Sequence, residues 1–137
     1  MSRKILCPTD GTDHSEQAVI LAAEMAAKYD AALTICVVNV AHGGARGPTI
    51  SHWTNAQVQT IIGDATALAR QHGATDVHSI DIVSRDAAAG IVAYAENNGF
   101  DQIVMGTGDK RGMSRLMLGS VAADVSGRAH CTVTVAR

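Results

Sequence analysis

Short apolar runs alternate with stretches of helical period from one end of this chain to the other, and that alternation restricts its fold more than any other feature. The runs are Ile5-Leu6-Cys7, residues 33–40 (LTICVVNV), residues 77–83, Ile103-Val104-Met105 and residues 131–136 (CTVTVA). Their length and β-branched content are those of strands, and the runs that are apolar throughout suit strands buried on both faces of a sheet. Between them apolar residues recur at the helical period of about 3.6 residues. Ala18, Leu21, Ala22, Met25 and Tyr29 make one such face, and Val58, Ile61, Ile62, Ala65, Leu68 and Ala69 make another. The order β-α-β-α-β-α-β-α-β predicts an α/β fold: a doubly wound, five-stranded parallel sheet with helices on both faces, joined by right-handed crossovers.

Local signals punctuate this pattern. Pro8 closes the first strand because it cannot donate to a ladder. Asp13 with Glu16 predicts a capping box for the first helix, and Asp86 caps the third. Gly73 and Asn97-Asn98-Gly99 read as helix stops. Residues 77–83 mix polar and apolar positions as an exposed edge strand does. Residues 41–53 (AHGGARGPTISHW) read as one long irregular surface loop, broken by Gly-Gly and Gly-Pro. His42 and His52 flank Arg46 there at no metal-ligand spacing.

Composition narrows the class. With 137 residues, the chain predicts one domain spanning 1–137. Hydrophobic residues are 47% and aromatics only 3%, so the core is built of Ala, Val, Ile, Leu and Met, which suits helices packed on a parallel sheet. A net charge of −2 argues against a nucleic-acid partner or an anionic membrane surface. No apolar run approaches the ~20 residues of a membrane span, and Ser2-Arg3-Lys4 is not followed by the apolar region of a signal peptide. Cys7, Cys36 and Cys131, all in predicted strands, read as reduced buried thiols, and the expected location is the cytoplasm.

Chemistry concentrates in residues 101–121 (DQIVMGTGDKRGMSRLMLGSV). A strand ends at Met105-Gly106, glycines follow at Gly108 and Gly112, and Gly119-Ser120 precedes Val121, Ala122, Val125 and Ala129 at helical spacing. A strand, a glycine-containing loop and a helix start are the parts of a backbone anion site, since the first N–H groups of a helix lack internal partners. The same parts also make an ordinary flexible connection. Ligands of doubly wound sheets bind beyond the carboxyl ends of the strands, where strand order reverses. If the first and fourth strands are neighbours there, Pro8-Thr9-Asp10 and the residues from Gly106 onward face one crevice.

These residues resemble the universal stress protein family. The resemblance covers the whole chain, from Ile5-Leu6-Cys7-Pro8-Thr9-Asp10-Gly11 through Asp101-Gln102-Ile103-Val104-Met105-Gly106 to the closing strand. The family's nucleotide-binding members carry a glycine, two residues, a second glycine, nine residues, then glycine with serine or threonine. Gly106, Gly119 and Ser120 match that pattern, while Asp109 stands at the second glycine and Gly108 beside it. The resemblance implies ATP or AMP as ligand, with or without Mg²⁺. It implies that Asp10 faces the adenosine, that the backbone near Val38 meets adenine, and that Val121 helps hold phosphate. It also implies the sheet order 3-2-1-4-5 and a homodimer through the last strand, over Thr132, Val133, Thr134 and Val135. Asp109 departs from the pattern: a carboxylate ~4 Å from a phosphate charge is repelled by about 4 kcal/mol at an effective dielectric near ~20. Lys110, Arg111 or a bridging Mg²⁺ would offset much of that.

Three functions compete. The first is a dimeric ATP- or AMP-binding regulatory protein without fast catalysis, since the chain lacks the Gly-Lys-Ser/Thr of an efficient NTPase. Its bland counterpart is a member that binds no nucleotide and serves as a dimeric interaction module. An adenylyl-transfer enzyme needs a serine-glycine-glycine loop after the first strand, which Pro8-Thr9-Asp10-Gly11-Thr12 does not supply. A phosphoacceptor receiver domain needs paired carboxylates there and an Asp ending the third strand, where this chain has Asp10 alone and Val83-Ser84.

Overall fold

The structure, a computed structural model, describes residues 3–44, 47–107 and 119–137. β1 (Lys4–Pro8) is the central strand, pairing in parallel with β2 (Ala32–Gly43) on one side and β5 (Gln102–Gly106) on the other. β4 (Val77–Ser84) pairs with β2, and β6 (Thr132–Ala136) pairs with β5, both parallel. The five parallel strands therefore run β4-β2-β1-β5-β6, the order expected. β4 is an edge, as its mixed pattern predicts.

One expectation fails along 41–53. Instead of an irregular loop, β2 continues to Gly43 and turns back into β3 (Thr49–Ser51), an antiparallel partner in which Ala41 faces Ser51 and His42 faces Ile50. Gly43 and Gly44, at φ +78° and +92°, supply the left-handed backbone of the turn. β4 occupies β2 only as far as Val40, so the last residues of β2 are free to take this second partner.

α1 (Asp13–Tyr29) and α2 (Asn55–Gln71) cover one face of the sheet; α3 (Ala87–Asn97) and α4 (Ser120–Arg128) cover the other. Strand alternation sorts the core accordingly. Ile5, Cys7, Leu33 and Ile35 meet the alanine-lined face of α1, while Leu6, Cys36 and Val38 meet Ile91 and Val92 of α3 and Val125 of α4. No helix is long and apolar enough to cross a membrane among the described residues.

Local details correct the sequence reading in three places. The cap of α1 is Thr12, whose hydroxyl accepts from the Ser15 N–H, so Asp13 is the first helical residue and makes no capping box with Glu16. The capping box belongs to α2, where Thr54 and Gln57 exchange side-chain-to-backbone bonds. Tyr29 is 46% exposed rather than buried, with the Arg3 guanidinium 5.0 Å from its ring centre. Cys131 precedes β6 and is half-buried, whereas Cys7 and Cys36 are buried free thiols. Burial pushes the Cys7 thiol up to about 12 and the Cys36 thiol higher still, so both stay protonated at neutral pH.

Candidate functional site

The carboxyl ends of β1, β2 and β5 open onto a cavity of about 560 Å³. It lies where the chain leaving β1 goes to one face of the sheet and the chain leaving β5 goes toward the other.

The β1–α1 turn forms its floor. The Thr9 N–H donates to the Cys36 carbonyl at 2.9 Å, and its buried hydroxyl donates to Ser15 Oγ at 2.9 Å. Ser15 Oγ in turn donates to the Thr12 carbonyl at 2.9 Å. Asp10 Oδ1 accepts from both the Thr12 N–H, at 3.0 Å, and the Thr12 hydroxyl, at 2.6 Å. The exposed carboxylate is thereby oriented, and its other oxygen has no partner among the described residues. Gly11, at φ +82°, lets the chain turn between Asp10 and the helix cap.

Met105 and Gly106 bring in β5. A Cβ on Gly106 would stand 2.5 Å from the His14 carbonyl oxygen, 2.8 Å from its carbon and 3.2 Å from Ser15 N. This glycine is where β5 passes hard against the first turn of α1. Packing thus demands a glycine at the position that the sequence pattern matches to a phosphate loop.

A third wall is the start of α4. Its cap, Gly119, has no side chain to offer the helix. The first intrahelical bond runs from the Ala123 N–H to the Gly119 carbonyl at 2.9 Å, which leaves the N–H groups of Ser120, Val121 and Ala122 without a helical acceptor. All three residues line the cavity. Such a helix start attracts anions through its N–H groups and its dipole.

The β2–β3 ribbon closes the remaining side with Val38, Val40, His42, His52 and Trp53. The His52 N–H donates to the Val40 carbonyl at 2.9 Å, which puts Val40, His42 and His52 on one face of the ribbon. Trp53 is anchored by Asn39, a buried amide in a mostly apolar strand. Asn39 Nδ2 donates to the Trp53 carbonyl and Asn39 Oδ1 accepts the Trp53 N–H, each at 2.9 Å.

Among the residues expected from the sequence, Pro8, Thr9 and Asp10, then Val38, Met105 and Gly106, and finally Gly119, Ser120 and Val121 all border this one cavity. Gly108 and Asp109 lie outside the described residues. Sequence reasoning missed the ribbon, and with it His42, His52 and Trp53, together with Ala87 and Ile91 of α3. Asn39 was the available signal, because a buried amide in a strand has to bond to something.

The model of the universal stress protein family matches residues 1–137. A universal stress protein of Methanocaldococcus jannaschii is 35% identical over 143 residues, an alignment covering 98% of this chain and 82% of that protein. A universal stress protein solved in complex with cAMP superposes with a TM-score of 0.77 at 26% identity, over 98% of this chain and 96% of its own. One from Archaeoglobus fulgidus, solved in complex with dAMP, shares the fold with a TM-score of 0.74 at 20% identity, over 100% and 98% of the two chains.

Proposed function

The chain belongs to the universal stress protein family, and from that premise we propose that its cavity binds an adenine nucleotide, ATP or AMP, and that the protein acts through the bound state rather than through rapid turnover. The observation that carries this reading is the convergence of the Asp10 turn and the open N-terminus of α4 on one cavity. Its volume falls within the ~300–1,000 Å³ common for small-molecule sites. The α4 N–H groups that lack a helical acceptor suit a phosphate, and the Asp10 oxygen with no partner among the described residues suits the hydroxyls of a ribose. The relatives solved with cAMP and dAMP hold ligands of the same class. Among the described residues no group of three or more His, Cys, Asp or Glu side chains gathers, so Mg²⁺ would arrive with the phosphates it coordinates. The hydroxyls of Thr9, Thr12 and Ser15 are engaged with one another, with the Thr12 carbonyl and with Asp10, an arrangement that orders a turn. The free thiols suit the reducing cytoplasm.

Gly119→Val tests the phosphate end. Gly119 has φ −64° and ψ 154°, extended values open to any residue, so the helix start should survive the change. The new side chain would stand beside the first-turn N–H groups of α4. Calorimetric titration with ATP is expected to show affinity falling ten-fold or more, about 1.4 kcal/mol. Unchanged affinity would put the ligand elsewhere.

The second reading, a dimeric interaction module without nucleotide, is favoured by Asp109 alone. Both readings include a homodimer through β6. That strand pairs only with β5 among the described residues, and it carries no proline or charge between Cys131 and Ala136. Two such edges can pair antiparallel about a two-fold axis and close. Val133→Pro removes a donor and distorts the strand, so it should shift the protein toward monomer. In sedimentation velocity at micromolar concentration, a wild-type monomer or an equally tight Val133→Pro dimer would rule this interface out.

A further inference from the structure

The geometry points to the His52–Trp53 pair as the wall against which the nucleotide's base stacks, an assignment that rests on the adenine-nucleotide reading of the cavity. The cavity is chemically divided. Its α4 side offers N–H groups from Ser120, Val121 and Ala122, while its ribbon side offers Val38, Val40 and two aromatic rings. A phosphate belongs at the first and a planar, apolar-faced base at the second.

The rings are also held more firmly than a surface loop requires. Asn39, only 5% exposed, grips the Trp53 backbone through two bonds of 2.9 Å. Trp53 packs against the buried cluster of Val37, Val58 and Ile62. The capping box of Thr54 and Gln57 fixes the chain at the very next residue. His52 is tied to Val40 through its N–H, and the two rings meet edge to face at 4.8 Å and 70°. A stacking surface fixed in advance loses little freedom when its ligand arrives. Stacking acts on the base, so it should help adenosine and AMP to the same extent.

Trp53 is the sole tryptophan of the chain, so its emission reports on this wall alone. The full chain is titrated with AMP and with adenosine, read in parallel by tryptophan fluorescence and by calorimetry. Emission should change saturably, with a midpoint at the calorimetric Kd. Trp53→Leu should weaken AMP and adenosine alike by about ten-fold, and Trp53→Phe should recover most of that loss. His52→Ala, at an exposed position, should weaken both by about three-fold without touching the buried cluster, which guards against a folding defect in the Trp53→Leu protein. AMP binding by calorimetry with no change in emission would overturn the wall while leaving the nucleotide reading intact. So would wild-type affinity in the Trp53→Leu and His52→Ala proteins. A wild-type chain that binds neither AMP nor ATP would overturn both.

Discussion

Gly106→Ala is expected to lower the midpoint of thermal unfolding by about 10 °C. The added Cβ would meet the His14 carbonyl oxygen at 2.5 Å and its carbon at 2.8 Å, far inside contact distance. Those atoms are backbone in the first turn of α1 and cannot swing aside as a side chain could. Relief requires β5 and α1 to separate, yet β5 is hydrogen-bonded to β1 and to β6, and α1 rests on the core through Ala18, Ala22 and Ala26. Overpacking of a tight core costs about 1–3 kcal/mol. At the upper end, for a chain of this size, each ~1 kcal/mol moves the midpoint by about 3–4 °C. The loss should appear without any nucleotide, which separates it from a ligand-binding defect. A Gly106→Ala protein that melts with the wild type would show that the helix turn has room to yield.

Asn39→Leu should destabilise the protein by about 2–3 kcal/mol. The substitution keeps the bulk in β2 but removes both partners of the Trp53 backbone. Each lost hydrogen bond is worth about 1 kcal/mol, and a half-buried N–H or C=O left without a partner adds further to the loss. Asn39→Asp is the informative companion, because it retains an acceptor for the Trp53 N–H and loses only the donor to the Trp53 carbonyl; it also introduces a buried charge. Urea unfolding measures the global effect. Amide exchange at His52 and Trp53 measures the local one, and it should accelerate in Asn39→Leu before the central strands respond. Unchanged exchange at those two amides would mean that the ribbon is held by its own ladder and not by Asn39.

The sheet was readable because its evidence is local. Runs such as LTICVVNV carry their strand character in a few consecutive residues, and burial on both faces makes the signal dense. Helix stops such as Gly73, at φ +101°, announce themselves the same way. The β2–β3 ribbon was not readable, since Thr49-Ile50-Ser51 is too short to show a period and Gly43-Gly44 and Pro48 suggest only interruption. At the start of α1, Thr12 and Asp13 are both good caps one residue apart, and the backbone turn at Gly11 rather than side-chain preference decides between them. Tyr29 followed the helical period but is the last residue of α1, where its ring is exposed and Arg3 lies over it. Gly106 was legible as a glycine that matters. The neighbour that requires it, His14, lies far away in sequence, and no local pattern could name it.

The cavity is assembled from segments spread from β1 to α4, and that bears on the order in which it can come into being during synthesis. The β1–α1 turn is made early, yet Gly106 and the start of α4 come from the β5–α4 unit, and at the other end of β1 the N–H of Lys4 waits for the carboxylate of Asp101, 97 residues later. At ~5–20 residues per second, β1 lacks one of its two sheet neighbours for about 5–20 seconds on the ribosome. A nucleotide bound as proposed could not stabilise the chain in that interval, because Gly106 and the start of α4 have not yet been made. The nascent chain must rely on β1, β2 and β4 with their helices.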